Sequence, residues 1–295
     1  MQENIENLRK QFLLNDEEFE KYYKEVLQAI IANKKKSENK RLIIVGGQCG
    51  AGKTRLIPTA NRELNNNGIV VDFDFLRSYH PNFKTVSSEH IEKTHIILHP
   101  DVEKVKNRIM QYLMENNYDV IYEGSLRNTQ GFIDFSQGFL ENGYNVSLYI
   151  MAVAELESFG STYVRYAEDL VSNNNPRWVE KIAHDESYTG VLKTVERFEK
   201  EKICSDTKVF VRGMPEPKEI YSSSGRQFSS TNEAIQYGRT IGRAKAVDDF
   251  WDKYKEVYKT FRKLKPELMD TLDDWEELFK REYKEIKKNK DKTLL

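Results

Sequence analysis

The chain has 295 residues, which is enough for one large α/β domain or for a core with added helices. Its 46 lysines and arginines nearly balance its 47 aspartates and glutamates, so no overall field favours binding to nucleic acid or to an acidic membrane. Two cysteines cannot build a disulfide framework, and no apolar run approaches the roughly 18 residues of a membrane span. We therefore expect a soluble, cytoplasmic protein that binds neither nucleic acid nor a membrane.

The first strong pattern is helical: apolar residues recur at helical spacing through residues 16–36. A short β-branched run at 41–45 then predicts a strand, and residues 54–66 can form the next helix. The segment between them fits the phosphate-binding loop Gly-x4-Gly-Lys-Thr in full. A strand before the loop and a helix after it are the context in which this pattern binds a nucleoside triphosphate.

Each residue type in the loop has a chemical reason to be there. Glycines let backbone N–H groups close around phosphate oxygens, Lys53 can reach the β and γ phosphates, and Thr54 offers a hydroxyl to Mg²⁺. We therefore predict bound ATP and Mg²⁺, with nucleotide contacts from Gly47, Gln48, Cys49, Gly50, Ala51, Gly52, Lys53, Thr54 and Arg55.

From the loop onward, strand and helix patterns alternate, which predicts an α/β fold with a mostly parallel sheet and helices on both faces. Ligands of such sheets bind beyond the carboxyl ends of the strands. The predicted strands are 68–73, 119–122, 145–152 and 207–211, and the predicted helices are 102–116, 132–141 and a helical region reaching about residue 200.

Polar residues follow two of these strands. Asp72 and Asp74 end one strand, so alternation would place both carboxylates on one face, where one could hold Mg²⁺ and the other could accept a hydroxyl proton. The same Asp-x-Asp pair could instead cap a helix. Glu123, Ser125 and Arg127 end the next strand and would bring a carboxylate, a hydroxyl and a guanidinium to the same rim.

Two arginines could supply the positive charge that phosphoryl transfer requires. Arg165 lies on a predicted helix, and Arg177 follows the breaker-rich segment 172–176, where a lid could bend. From the residues alone, both could equally be helix-surface arginines.

Turn residues at 214–217 and 222–225 and a loop to 231 separate this core from two helical stripes, which Pro266 divides. We predict an antiparallel helical hairpin that packs on its own domain, with partner recruitment as the alternative. The predicted division is a helical segment at 1–40, a core at 41–222 and a helical extension at 223–295.

The ordered set of motifs resembles the zeta toxin family over roughly residues 41–211. The resemblance rests on the loop, on Asp72-Phe-Asp74, and on later motifs that include His80-Pro-Asn-Phe83, Glu123-Gly-Ser125, Arg127, Tyr149-Ile-Met-Ala152, Arg165-Tyr-Ala-Glu168, Arg177 and Ala183-His-Asp185. It implies a P-loop kinase fold of three layers, α/β/α, and ATP-dependent phosphorylation of a sugar hydroxyl of UDP-N-acetylglucosamine or a related UDP-amino sugar. A separate helical antitoxin is the partner that the resemblance implies.

Carried over by position, the resemblance makes Asp74 the general base and makes Arg165 and Arg177 phosphate ligands, so that with Lys53 these are the catalytic candidates. Thr54 and Asp72 are the candidate metal ligands. The candidate acceptor contacts are Asp74, His80, Glu123, Ser125 and Arg127. Phe73 and Leu126 differ from the residues usual in the family, and both would shape the sugar pocket.

Two other functions stay open at this point. One is a kinase for a different acceptor, such as a nucleoside, an antibiotic or a nucleic-acid end. The other is a nucleotide-hydrolysing switch, although the base-reading Asn-Lys-x-Asp motif of such switches is absent from the sequence.

Overall fold

A computed structural model of the protein describes residues 4–172, 174–225 and 227–293, with 289–293 described for the backbone alone. One residue of the breaker-rich segment, Asn173, lies outside these ranges. The strands are β1 Arg41–Gly46, β2 Ile69–Val71, β3 Val120–Gly124, β4 Asn145–Met151, β5 Asp206–Val211 and β6 Lys218–Ser222. The helices are α1 Ile5–Phe12, α2 Asp16–Ile31, α3 Ile57–Glu63, α4 Phe73–Ser78, α5 Phe83–Glu89, α6 Thr94–Ile97, α7 His99–Glu115, α8 Thr129–Glu141, α9 Glu155–Ser172, α10 Lys181–Lys200, α11 Thr231–Thr240, α12 Arg243–Asp248, α13 Phe250–Leu264 and α14 Leu272–Thr293.

The strands form one sheet in the order β2-β3-β1-β4-β5-β6. The first five strands are parallel, and β6 adds antiparallel to β5. In register, Val45 of β1 lies beside Glu123 of β3 and Tyr149 of β4. Because parallel strands end at one edge, the phosphate-binding loop and the end of β3 meet there, as the alternation of elements predicted.

Side chains of β1 alternate between the two faces of the sheet, and each face has its own core. Leu42 and Ile44 pack into the larger cluster, to which α2, α7, α8, α10 and α11 contribute. Ile43 and Val45 pack on the other face with residues of α3. The predicted three-layer α/β/α fold is confirmed.

A third cluster joins α9 to the C-terminal helices α12, α13 and α14. The 3-10 helix Pro266–Thr271 connects α13 to α14, and Phe250 near the start of α13 stacks on Phe279 at a centroid distance of 4.1 Å. The two apolar stripes therefore form a hairpin that packs on its own chain. The region before it holds two elements that were not predicted: β6, which lies between the two predicted turns, and α11, which follows the predicted loop.

Two elements next to the carboxyl edge of the sheet differ from their prediction. The helix after the loop begins as the 3-10 helix Lys53–Leu56 and becomes α-helical only at Ile57. Strand β2 ends at Val71, and Asp72 is the N-cap of α4. Within the described part of the chain, no helix is long and apolar enough to cross a bilayer.

Candidate active site

The phosphate-binding loop leaves β1 through a backbone shape that requires glycine. Gly50 has φ of +72°, and a Cβ there would lie 2.0 Å from the carbonyl oxygen of Ser158 on α9. A side chain at Gly50 would therefore both strain the loop and collide with α9. The loop N–H groups are held in this shape at the carboxyl edge of the sheet, where an anion can be bound.

Two side-chain contacts tie the loop to the helices behind it. Gln48 is fully buried and donates to the carbonyl of Val153 at 2.7 Å and to the hydroxyl of Ser158 at 3.2 Å. The backbone N–H of Cys49 donates to the hydroxyl of Ser187 on α10 at 3.2 Å. The Gln48 side chain thus supports the loop from inside the protein, and only its backbone is left to contact a nucleotide.

Lys53 and Thr54 stand at the start of the 3-10 helix, beside the end of β3. Lys53 donates to the carbonyl of Gln48 at 3.2 Å, and the Thr54 hydroxyl donates to the Glu123 carboxylate at 3.1 Å. Burial lowers the pKa of Lys53, and the nearby Glu123 carboxylate opposes that shift. A buried ammonium beside one carboxylate can gain further stabilisation from an anionic ligand.

Asp72 and Asp74 do not share the face of a strand. Asp72 caps α4 by accepting from the backbone N–H groups of Asp74 at 2.6 Å and Phe75 at 3.3 Å. Asp74 lies in the first helical turn, where its side chain follows helical geometry and not strand alternation. The predicted side-by-side carboxylates are therefore wrong, and the helix-cap alternative is what the chain forms.

The Asp74 carboxylate is engaged by two arginines. Arg177 donates to both of its oxygens, at 2.9 and 2.7 Å, and Arg77 of the same helix forms a second ion pair with it. Arg165 of α9 is close enough that burial, and then the charge of Arg177, lower its pKa. The structure thus brings together Asp74, Arg165 and Arg177, although they come from three separate segments.

Two cavities meet at this group. The first, which we call the loop cavity, has a volume of about 550 Å³ and is lined by the phosphate-binding loop, Asp72, Glu123 and Ser125. The second, the Arg77 cavity, has a volume of about 340 Å³ and is lined by parts of α4, α5, α6 and α9 and by residues 174–177. Five side chains line both cavities: Asp74, Arg77, His95, Arg165 and Arg177.

Three side chains that line the Arg77 cavity carry polar atoms that the protein does not satisfy. Within the described ranges, Nε of Arg77, Nδ1 of His95 and Oδ1 of Asn175 are buried without a hydrogen-bond partner. Burial, reinforced by the charge of Arg77, lowers the pKa of His95 to about 4, so its ring is neutral near pH 7. Buried donors and acceptors without partners are costly, so this cavity is suited to a polar ligand.

His80 does not reach either cavity. It is buried, its Nδ1 accepts from the backbone of Asn82 at 3.1 Å, and its Nε2 lies 3.3 Å from the Asp101 carboxylate. Tyr22 of α2 packs edge-on against its ring. Both ring nitrogens are therefore used within the core, and the structure does not bring His80 together with the other predicted acceptor contacts.

Arg127 is also absent from the cavity linings. Its guanidinium lies on the surface 3.5 Å from the Glu186 carboxylate of α10. The preceding Leu126 is fully buried with φ of +55°, and its side chain lies where a Cβ on Gly46 would be only 2.3 Å away. This turn leaves Ser125 in the loop cavity and carries Arg127 away from it.

Sequence reasoning missed a cation beneath the loop. Arg212, directly after β5, donates to the carbonyls of Gly50 and Ala51 and pairs with Glu157 of α9 at 2.9 Å. Its place at the end of a parallel strand was the available signal. Arg55 donates to the carbonyls of residues 213 and 215 in the same connection, at 3.3 and 2.9 Å, so its side chain holds the β5–β6 loop.

The residues predicted to hold Mg²⁺ fit that ion as part of a shared site. The Thr54 hydroxyl and the Asp72 carboxylate both line the loop cavity, and oxygen ligands are those that Mg²⁺ prefers. Among the described residues, no group of three or more His, Cys, Asp or Glu side chains could hold a metal alone.

Comparison with known proteins identifies the family. A family model described as "Zeta toxin" matches residues 25–225. "Toxin zeta" of Streptococcus pyogenes is 28% identical over 225 residues, covering 75% of this chain and 76% of that protein. "Toxin PezT" of Streptococcus pneumoniae serotype 4 is 27% identical over 198 residues, covering 67% and 78%.

Solved structures agree at the level of the fold. A structure from the PezAT chromosomal toxin–antitoxin system of Streptococcus pneumoniae matches with a TM-score of 0.72 and 22% identity, over 83% of this chain and 98% of that one. A structure of AvrRxo1-ORF1:AvrRxo1-ORF2 with sulphate ions matches with a TM-score of 0.53 and 14% identity, covering 88% and 84%. Since the family model spans more than half of the sequence, the chain belongs to the zeta toxin family, a family of kinase-type enzymes.

Proposed function

We propose that the protein is an ATP-dependent phosphotransferase whose acceptor is a sugar hydroxyl of UDP-N-acetylglucosamine or a related UDP-amino sugar. One observation supports the proposal: Asp74 lines both cavities, so it lies between the cavity in which we place the nucleotide and the cavity in which we place the acceptor. A group that removes the acceptor's proton must stand at such a junction, within hydrogen-bond reach of the hydroxyl.

On the donor side, loop N–H groups and Lys53 would bind the triphosphate of ATP, and Thr54 with Asp72 would hold Mg²⁺. When bound, Mg²⁺ would neutralise charge on the phosphates and help to align them. The burial that lowers the pKa of Lys53 favours this role, because a phosphate oxygen beside the ammonium replaces the stabilisation that water would have given.

On the acceptor side, the Arg77 cavity offers the Arg77 guanidinium to an anion, while Arg165 and Arg177 line its junction with the loop cavity. A UDP-sugar carries a diphosphate, and guanidinium groups bind such oxygens through paired hydrogen bonds. Neutral His95 and the amide oxygen of Asn175 add hydrogen-bonding groups that still lack partners. In the proposal, Glu123 and Ser125, which line the loop cavity, would bind sugar hydroxyls.

In the proposed reaction the acceptor hydroxyl gives its proton to Asp74. Its oxygen forms a bond to the γ-phosphorus, while the bond between that phosphorus and the β–γ bridging oxygen breaks and ADP leaves. Arg165 and Arg177 stabilise the charge on the transferring group, where arginines contribute most of their rate effect. Arg177 must leave Asp74 for this, and the anionic γ-phosphoryl group provides the alternative partner.

Names and titles of similar proteins support a toxin–antitoxin setting for the proposed activity. The PezAT structure comes from a system described as a chromosomal toxin–antitoxin pair. By analogy, we include in the proposal that this chain acts as a toxin with a separate antitoxin protein as its partner. Cys49 and Cys204 are both free thiols, which agrees with the reducing cytoplasm in which such a kinase would act.

The test is to incubate the purified protein with ATP, Mg²⁺ and UDP-N-acetylglucosamine and to examine products by mass spectrometry and ³¹P NMR. A UDP-sugar that gains one phosphoryl group supports the proposal, and the Lys53→Ala variant is the control. ATP-dependent phosphorylation of a different acceptor, with none on any UDP-sugar, would refute the substrate class. Release of free phosphate alone, across a panel of acceptors, would refute the kinase assignment.

A further inference from the structure

Arg177 lies in a segment that no regular secondary structure holds. Residues 175–180 between α9 and α10 form neither helix nor strand. A catalytic guanidinium must nevertheless be placed within a fraction of an ångström, and a misplacement of about 1 Å can cost about 10²-fold in rate. Contacts from other parts of the chain must therefore fix this segment.

The neighbouring residue provides such contacts. The Trp178 ring packs edge-on against Tyr163 at 5.1 Å and Tyr166 at 5.2 Å, both on α9, and against Phe261 of α13 at 6.0 Å between ring centroids. Phe261 is fully buried and also contacts both tyrosines, at 6.1 and 5.9 Å. The residue beside Arg177 is thus seated on an aromatic platform that α9 and α13 share.

The platform continues into α14, which fixes α13 on α9. Trp275 stacks on Tyr163 at 5.2 Å, and a Cβ on Gly160 of α9 would lie 2.6 Å from the Trp275 ring. The close approach of the two helices therefore depends on glycine at that position. We call this set the aromatic brace; its members are Tyr163, Tyr166, Trp178, Phe261 and Trp275.

The same C-terminal region also contacts a 3-10 helix that lines part of the Arg77 cavity. Lys265, which follows α13, forms an ion pair with Glu92 of the 3-10 helix Ile91–Lys93. Burial works against the charged form of Lys265, but the carboxylates of Glu92 and Glu267 raise its pKa overall. Ile91, the residue before Glu92, lines the cavity. The end of α13 therefore contacts residues next to Arg177 and next to Ile91, both of which line the proposed acceptor site.

We infer that the aromatic brace, through which α13 and α14 support the active site, holds Arg177 in place. Phe261 is the positioning residue, and it acts on Arg177 through Trp178. The inference rests on the proposed function for the role of Arg177, but not for the placement of the segment. These helices lie outside residues 25–225, which the zeta toxin model matches. The brace thus extends the proposed machinery into the C-terminal helices.

The test compares Phe261→Leu, which removes the ring beneath Trp178, with Val257→Ala. Val257 is a buried residue of the same helix and the same cluster, so its truncation serves as a control for general loosening of α13. We expect Phe261→Leu to lower kcat by about 10-fold to 10²-fold, with little change in the KM for ATP. The control should keep kcat within about threefold of the parent.

A double-mutant cycle separates positioning from stability. If Phe261 acts through Arg177, then adding Phe261→Leu to Arg177→Ala should lower kcat by no more than about twofold further. Should Phe261→Leu fail to fold, Trp178→Phe and Trp178→Ala replace it. The phenylalanine, which keeps a ring on the platform, should retain more activity than the alanine.

Hydrogen exchange gives a readout that does not depend on the acceptor. The amides of residues 174–180 should exchange faster in Phe261→Leu than in the parent, and should be unchanged in Val257→Ala. Equal exchange in both variants, or the same loss of kcat with and without Arg177, would overturn the brace. If the wild-type protein transfers no phosphoryl group, but residues 174–180 still exchange faster in Phe261→Leu than in the wild type, the brace is supported while the proposed function fails.

Discussion

Replacing Asp74 by asparagine tests the centre of the proposed chemistry. The amide keeps the size of the carboxylate but cannot accept a proton from the acceptor hydroxyl. In the structure Asp74 is paired with Arg77 and Arg177, so the substitution also removes the negative charge that holds these guanidinium groups. The expected loss of activity must therefore be compared with the expected loss of stability.

The two effects can be told apart because stability and transfer are measured separately. About half of the Asp74 side chain (49%) and 36% of the Arg177 side chain are exposed, so their ion pair should contribute no more than about 1 kcal/mol to folding. The Arg77 side chain is largely buried, so its charged hydrogen bond to Asp74 should add about 1 to 3 kcal/mol. A positioned general base contributes about 10²-fold to 10⁴-fold, which corresponds to about 3 to 5 kcal/mol of activation free energy. Transfer should therefore fall by that factor in a protein that remains folded.

The assay measures phosphorylation of UDP-N-acetylglucosamine, ATP affinity and the urea midpoint for Asp74→Asn and Glu123→Gln. We expect Asp74→Asn to lose kcat with ATP affinity almost unchanged, because the loop and Lys53 remain. Glu123→Gln should mainly raise the acceptor KM, since an amide accepts hydrogen bonds from sugar hydroxyls less strongly. Undiminished transfer by folded Asp74→Asn would refute the assignment of the base.

Three further predictions follow from the site and its support. Lys53→Ala should abolish ATP-dependent transfer while the melting temperature stays within a few degrees of the parent, measured by calorimetry. Arg165→Ala and Arg177→Ala should each lower kcat more than they raise the acceptor KM in steady-state kinetics. Burial lowers the pKa of His184 to about 4 from 6.5, so the unfolded chain binds the proton more readily. The contribution of the neutral His184 ring to the free energy of unfolding is complete above pH 6.5 and should fall by about 3 kcal/mol as the pH drops to 4. In urea titrations, this part of the decrease in the free energy of unfolding should be absent from His184→Gln.

Each of these predictions can fail in a specific way. Wild-type turnover in folded Lys53→Ala would remove the nucleotide site from the proposal. A rise in KM at constant kcat would make Arg165 and Arg177 binding residues without a transition-state role. The His184 ring is buried, with its Nε2 2.9 Å from the Ser158 hydroxyl. Identical pH dependence in His184→Gln and the parent would show that this environment does not keep the ring neutral.

The layered fold and the loop could be predicted because their signals are local. A β-branched strand, a glycine-rich turn and the Lys-Thr pair occupy adjacent positions, and the alternation of elements then determines which edge of the sheet they share. The same logic placed Glu123 correctly at the end of β3, beside Thr54. A short edge strand such as β6 carries little periodic signal, which is why it was not assigned.

Residues whose positions depend on tertiary contacts could not be assigned in this way. His80 stands in a motif of the family, but its two ring nitrogens are used by Asn82 and Asp101 inside the core. Arg127 follows Glu123 and Ser125 closely, yet the left-handed backbone at Leu126 sends it to the surface. Neither a buried pairing partner nor a positive φ at leucine is visible in a local pattern.

For Asp74, the local sequence pattern predicts two possible backbone structures, and the tertiary fold determines which charged groups surround its carboxylate. The Asp-x-Asp spacing was compatible with a strand end or a helix cap, and the cap that Asp72 forms is what starts α4 and points Asp74 towards Arg177. The two partners are 103 residues apart, and Arg177 is held by an aromatic platform that includes α13. In this arrangement Asp74, the proposed base, is ion-paired with Arg177, a proposed phosphate ligand, until an anion takes the place of Asp74 as the partner of Arg177. Their shared position at the junction of two cavities is therefore a property of the assembled chain, and it is the strongest physical reason to place the reaction there.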